Sequence, residues 1–546
     1  MKKSTLALSV AAALSGLSGT AFAITTPGGA TATAMSVNQG GIGHQLLVPY
    51  FSANNNNNTL LSIVNTDTTN GKLVKVRFRG AGNSDDLYDF TLALSPGDVF
   101  AAAISKDAAT GKAKFFSADT SCTIPAAAAN SSFITDRVDP LSTVTAAAQT
   151  LEGYVEIITM ADILKTNASG GAAVQTSATV GGVTGVTNKL FAITKHASST
   201  TASLQKPTCD SASFLTLLNA DVADAAAALV VGMSPPTSGL MGSWAIYNLS
   251  GTSNASWSGN ATALLATLAG APAKGNVVFS PQRGGSGDPA AALSSAFIAN
   301  LSADPLLQGA SPVVVPQMFD VPDLSTPYIS GVATPAAHAE YVSTLLKIGQ
   351  LNHEYVTDSI VAASTDVVMS QPSRRYHVAV NYTATPALVF RVGSTFYGNA
   401  APTNNVTFGQ AGTSNARLAC LININAPAVQ GLFNREEYTT STPPGSFVIS
   451  PAAAGSTVAF PICGEASVAS INNGGIATAS SAISGSIART DYSPSASDVN
   501  FGSAGWMNWV FSTSNAALGI PMIPRVFNKL SNGTANYGLT FSGATQ

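Results

Sequence analysis

Charge is scarce in this sequence: Asp, Glu, Lys and Arg make up 10% of its 546 residues, against about a quarter in an ordinary soluble domain. With 25 basic and 28 acidic residues, the formal net charge is -3. A surface so poor in ions has no electrostatic means of holding nucleic acid or an anionic membrane, so neither is an expected partner. It must instead be built from Ser, Thr, Asn, Gln and small apolar side chains. It also lacks the like-charge repulsion that keeps many proteins apart. Self-association is therefore expected, with an outer-membrane or other cell-surface component as a further partner.

Long apolar runs are missing as well. Beyond the N-terminal segment the longest, residues 225–233, has about half of the roughly 20 residues that a membrane-spanning helix needs. No transmembrane helix is expected in the exported chain. Aromatic residues are only 7%, and alternating strands of about ten residues do not recur, which disfavours an outer-membrane barrel.

Catalytic and metal-binding motifs are absent too. The stretch 284–288, Gly-Gly-Ser-Gly-Asp, comes nearest to a nucleophile elbow and lacks its final glycine. His353 and Glu354 open like a zinc-protease helix, but Thr357 stands where the second histidine would be. His44, His196, His338, His353 and His377 are scattered without ligand spacing, so structural or surface roles are expected. Asn83, Asp85, Asp86 and Asp89 offer oxygens of the kind Ca2+ takes, but their spacing matches no calcium loop. An ordinary polar strand edge is the expected role, with no cofactor and no enzymatic activity. Sequons such as those at Asn248, Asn254 and Asn532 are what a chain rich in Asn, Ser and Thr produces by chance.

What is present begins at the N-terminus. Lys2 and Lys3, an apolar stretch over residues 6–17, and small residues at Ala21 and Ala23 have the layout of a cleaved secretory signal peptide, residues 1–23. Export to the cell surface or the outside of a Gram-negative bacterium is the expected destination. In that oxidising setting Cys122, Cys209, Cys420 and Cys463 read as disulfides rather than metal ligands. The expected pairing is Cys122 with Cys209 and Cys420 with Cys463, since each pair falls within one candidate domain. Each bridge would contribute roughly 4 kcal/mol by restricting the unfolded chain.

Short alternating or apolar runs at residues 60–64, 73–78, 87–94 and 153–159, separated by Gly, Asn and Asp turns, predict antiparallel strands. The Asn run 54–58 is a predicted loop tip, because asparagine tolerates a left-handed backbone. Residues 168–186 predict a long loop or irregular hairpin. Helical spacing appears at 291–301 and 336–346. Strands return at 376–382, 387–392, 405–408, 416–424, 446–449, 456–461 and 505–511, the last carrying Trp506 and Trp509. Residues 466–487 are a low-complexity stretch. Arg374 and Arg375, with Asp366 upstream, suit an ion pair between domains or a charge that blunts a strand edge.

The predicted fold is mainly β: two immunoglobulin-like antiparallel sandwiches joined by a small helical element. The expected units are a first sandwich with long loops over 24–287, a helical connection over 288–370 and a second sandwich over 371–546.

Residues 44–102, 319–328 (FDVPDLSTPY), 364–376 (STDVVMSQPSRRY) and 505–538 resemble, in order, a family of secreted proteobacterial cell-surface proteins. That resemblance implies a surface location and immunoglobulin-like sandwiches, and it brings no activity with it. In composition the chain is also similar to Gram-negative surface-layer proteins. The expected function is a secreted structural protein of the cell envelope that can self-assemble into a surface layer. An adhesin or carbohydrate-binding surface protein is the first alternative; its signature would be exposed aromatic platforms, which 7% aromatics make thin. A secreted hydrolase is the second.

Overall fold

The computed structural model describes residues 28–282 with short interruptions, 322–381, and shorter segments between 301 and 545. The expected signal segment with Ala21 and Ala23, the Gly-rich stretch 284–288, the helical pattern at 291–300 and the strands expected at 405–408, 446–449 and 456–461 lie outside the described residues. The fold is mainly β, with 48% strand and 12% helix among the described residues.

The strands predicted in the first half all form, and they build two facing sheets. The larger runs Ala34–Asn38, Thr262–Leu268, Gln45–Ser52, Glu152–Ile163, Gly71–Gly80, Asp86–Leu94 and Cys122–Ile124 in spatial order. The smaller runs Ser131–Ser132, Ala113–Phe116, Val99–Lys106, Asn57–Asn65, Leu240–Asn248 and Ala255–Asn260. Alternation decides what lies between them. From Gly71–Gly80 the side chains of Val74, Val76 and Phe78 point inward, and from the smaller sheet Leu61, Ile63, Phe100, Ile104, Trp244 and Ile246 meet them in one apolar cluster. Phe78, Tyr88, Phe115 and Phe133 pack edge-on, tilted or, for Tyr88 on Phe133, stacked, at centroid distances of 5.2 to 6.2 Å, as aromatic pairs in a core commonly do.

Turn chemistry matches the sequence. Asn55 and Asn56 hold φ of 47° and 64°, the left-handed values that their side chains accommodate better than most. The stretch 168–186 supplies an irregular hairpin, Val174–Val180 against Val183–Asn188.

The larger sheet is covered on its second face as well. Every residue of Gln45–Ser52, Gly71–Gly80 and Glu152–Ile163 is buried. The covering layer includes the helices Lys189–Thr194, Ala212–Leu218 and Pro335–Leu345, whose Leu190, Phe214, Ala339 and Val342 share a cluster with Leu73, Ile158 and Met160 of the sheet. Thr334 caps the last helix by accepting from the Ala337 N–H at 3.3 Å, and Pro335 occupies its first turn. A disulfide joins Cys122 to Cys209. It ties the edge strand Cys122–Ile124 to the segment before Ala212–Leu218.

The helix predicted over 336–346 therefore forms, but the connection expected to reach residue 370 ends earlier. Strands Gln350–Val356 and Ser364–Ser370 follow it, because Leu351 and Tyr355, then Val367 and Met369, fall at a period of two and enter one core. These strands belong to a second two-layered arrangement. Its five-stranded sheet has the order Arg489–Tyr492, Ala466–Ile471, Ser364–Ser370, Ile523–Ser531, Asn536–Phe541, and its four-stranded sheet the order Gly431–Asn434, Ala504–Val510, Gln350–Val356, Ala544–Thr545. Within the low-complexity stretch 466–487, Ala466–Ile471 is a buried strand. Val368, Val468 and Phe527 from the five-stranded sheet enter the core of the first sandwich, so the two halves are packed together through apolar side chains.

Candidate interaction surface

Several of the charges in the sequence are gathered inside. Lys72, Lys75, Arg77 and Arg79 alternate with the apolar residues of Gly71–Gly80, a pattern that ordinarily marks a half-exposed strand. All four are nonetheless buried. Lys72 Nζ meets Asp162 Oδ1 at 2.7 Å and donates to Thr237 Oγ1 at 2.7 Å. Lys75 pairs with Asp89, Arg77 with Asp86 at 3.2 Å and Arg79 with Glu156 at 3.5 Å. Buried charges are tolerated only when paired, and the partners arrive from two flanking strands, Asp86–Leu94 and Glu152–Ile163.

This overturns the polar-edge expectation for the acidic cluster. Asp85 and Asp86 are buried, and Asp86 Oδ2 accepts from both Arg77 and Arg137, at 3.2 and 3.0 Å. Among the described residues no set of three or more His, Cys, Asp and Glu side chains is placed to hold a metal ion. Burial works against the charged form of Asp89, yet Lys75 and Arg77 hold it below the usual carboxylate range. Burial, helped by the Asp89 charge, pushes Asp86 up to about 7 against the pull of Arg77 and Arg137.

Arg374 and Arg375 sit at the seam between the sandwiches. Arg374 Nε lies 4.0 Å from Glu465 Oε1, its Nη1 donates to the Gly464 carbonyl at 2.6 Å, and the Glu465 N–H donates to the Ala81 carbonyl of the first sandwich at 2.9 Å. Burial pushes the Glu465 carboxyl up to about 7 despite Arg374 and Arg375. Asp366 serves a different group, accepting the Ile483 N–H at 2.7 Å.

The histidines are not brought together. His44 is buried and its Nδ1 accepts from the Ala266 N–H at 3.1 Å; burial, then the charge of Lys72, lowers it to about 3. His196 lies 3.5 Å from Asp98. His353 and Glu354 stand on the strand Gln350–Val356 rather than on a helix, so residues four apart share one face of a sheet instead of successive helical turns. His377 Nε2 is 3.3 Å from Ser343 Oγ and 3.8 Å from Glu340. Serine, histidine and acid are thus adjacent, but the same ring nitrogen meets both partners. A catalytic relay needs the serine on one nitrogen and the acid on the other. Ser343 is also fully buried, out of reach of a substrate.

Exposed surface of distinctive chemistry lies elsewhere. On the outer face of the smaller sheet the cross-strand register aligns Phe116, Ala103, Leu60, Ala245 and Ser258 in one row, and Ala101, Ser62, Ser243 and Asn260 in the next. Every one of these side chains is uncharged. Leu60 and Phe116 are 43% and 46% exposed, and the small residues between them leave a shallow groove of about 550 Å³. Beneath it, on the inner face, Gly259 makes room for the buried Trp244 ring, which a Cβ there would meet at 3.0 Å. A second groove of about 490 Å³ lies where the sandwiches meet, with Asn38, Asn260, Arg525 and Thr540 among its lining residues and neither histidine nor carboxylate.

The sequon residue Asn248 is already engaged, donating to the Asn55 carbonyl at 3.0 Å and to Asn57 Oδ1 at 2.9 Å. No helix among the described residues is long and apolar enough to cross a membrane. The uncharged sheet face and the buried ion pairs went unrecognised in the sequence because both depend on which strands become neighbours. The chain matches no family model, no curated protein and no solved structure.

Proposed function

We propose that this chain is a secreted structural protein of the bacterial cell envelope that associates with copies of itself through the outer face of its smaller sheet. The observation that carries this reading is the neutral groove on that face: Leu60, Ser62, Ala101, Ala103, Phe116, Ser243 and Ala245 form a lining of small and apolar residues without a charged side chain. A contiguous apolar patch rimmed by polar residues is a frequent mark of a protein contact, and its small side chains allow close approach. Assembly of this kind provides a route to a surface layer when the contacts do not close. Export by residues 1–23 belongs to the same reading, as does the resemblance to secreted cell-surface proteins.

Sedimentation velocity of the chain from residue 24, over a range of concentrations and salt, tests it. Association should persist in high salt, since the two rows that line the groove carry no charge. Ala101→Lys with Ser243→Lys should leave a folded monomer, because both sites are exposed. A wild-type chain that stays monomeric throughout, or a lysine variant that associates equally well, would defeat the proposal.

A further inference from the structure

Four tryptophans are present, and three are shielded: Trp244 and Trp257 are 2% exposed and Trp509 is fully buried. Trp506 is 42% exposed. It lies in Ala504–Val510, where alternation sends Met507 and Trp509 into the core and leaves Trp506 and Asn508 outside. The register sets Phe433, Trp506 and Glu354 side by side in one row of the four-stranded sheet, and Asn508 and Asn352 in the next.

The Phe433 and Trp506 rings stack at 4.4 Å between centroids and 12° between planes, so the indole is already held before anything binds. Beside it Gln350 Nε2 donates to Asn352 Oδ1 and Asn508 Oδ1, each at 3.0 Å. These two bonds orient the asparagine amides and use only their oxygens. The NH2 groups remain as donors, and the exposed Glu354 carboxylate is an acceptor in the same row as the indole.

We propose that this face binds neutral pyranose oligosaccharides, with Trp506 as the stacking platform and Asn352, Asn508 and Glu354 as hydrogen-bonding groups. A pyranose ring has an apolar C–H face and a rim of hydroxyls that both donate and accept. A fixed indole that is 42% exposed suits the first; neighbouring amides and a carboxylate suit the second. The two rows carry no cation, which disfavours a phosphate or sulfate ligand. Prior fixing of the ring and amides lowers the ordering cost of binding. This site lies on the second sandwich and is independent of the self-association face.

Acrylamide quenching reads it directly, because Trp506 is the indole that a collisional quencher can reach. The measurement uses the Ala101→Lys, Ser243→Lys chain, so that assembly does not intervene, with cellohexaose, chitohexaose and mannohexaose as probes. At least one should protect the quenchable fluorescence saturably, lowering its quenching constant severalfold. Isothermal titration with the same sugar should show binding lost in Trp506→Ala, weakened in Asn508→Ala and partly restored in Trp506→Tyr, all with an unchanged far-UV spectrum. No protection by any of the three sugars at millimolar concentration would overturn the proposal, as would binding that survives Trp506→Ala. A Trp506→Ala change that alters sedimentation of the otherwise wild-type chain, without sugar protection, would assign the face to contact between copies and likewise overturn it.

Discussion

Arg77 Nη1 and Asp86 Oδ2 lie 3.2 Å apart with both side chains buried, and Arg137 Nη1 reaches the same oxygen at 3.0 Å. One carboxylate thus compensates two guanidinium groups. Removing one member of a buried pair is costly because the other is left charged and dry. Asp86→Ala should therefore lower stability by about 3 to 5 kcal/mol. The comparison belongs at pH 8, above the value of about 7 to which Asp86 is raised, where the wild-type group is ionised. Urea unfolding that places Asp86→Ala close to wild type would show that the pair is dispensable.

The pattern at residues 73–78 shows how far the sequence could be read. Alternation of apolar and basic residues correctly marked a strand, and Val74, Val76 and Phe78 do enter the core. Their basic neighbours were legible as charged but not as buried, because Asp89, Asp86 and Glu156 become their partners only when other strands take their places beside this one. The left-handed asparagines at 55 and 56 and the helix after Thr334 were local enough to read. His353 and Glu354, set aside in the sequence for want of a second histidine, fall in a segment whose period is two rather than on a helix. The Phe433–Trp506 stack unites distant residues, and overall aromatic content conveys nothing about such clustering.

Glu465 should give stability a pH dependence of unusual sign. Burial raises its carboxyl from 4.5 in the unfolded chain to about 7 in the folded one, with Arg374 and Arg375 opposing. Between those values the folded protein holds a proton that the unfolded chain has lost, so stability falls as pH rises from 4.5 to 7 and is flat above. The full span corresponds to about 3 kcal/mol. Glu465→Gln mimics the protonated form and should equal wild type near pH 4.5 while exceeding it at pH 8. Parallel profiles for the two proteins would rule out this role for Glu465.

Cys420 and Cys463 are direct partners in an antiparallel pair of two-residue strands. Opposed residues in such a ladder have Cα atoms about 4.5 to 5.5 Å apart, within the range a disulfide spans. Peptide mapping of the exported protein without reductant should therefore recover a second bridge, Cys420–Cys463, beside Cys122–Cys209. Free thiols at 420 and 463, or a cross-pairing with 122 or 209, would exclude it.

His338 offers the opposite pH slope to Glu465. It is fully buried, stacks on Tyr341 at 7° between planes, and neither ring nitrogen has a hydrogen-bond partner among the described residues. Burial lowers it from 6.5 to about 3. Below pH 6.5 the unfolded chain takes up a proton that the folded protein refuses, so stability present above 6.5 is lost as pH falls toward 3. Over the part of that window above pH 4 the loss is about 3 kcal/mol. His338→Phe keeps a flat ring against Tyr341 and carries no proton. It should leave stability at pH 7 within about 1.5 kcal/mol of wild type, as shape-conserving core exchanges do, and it should flatten the decline between pH 6.5 and 4. Because Glu465 still titrates in both proteins, the difference between the two urea-unfolding profiles isolates the histidine. A variant that loses stability on acidification as steeply as wild type would place the acid sensitivity elsewhere.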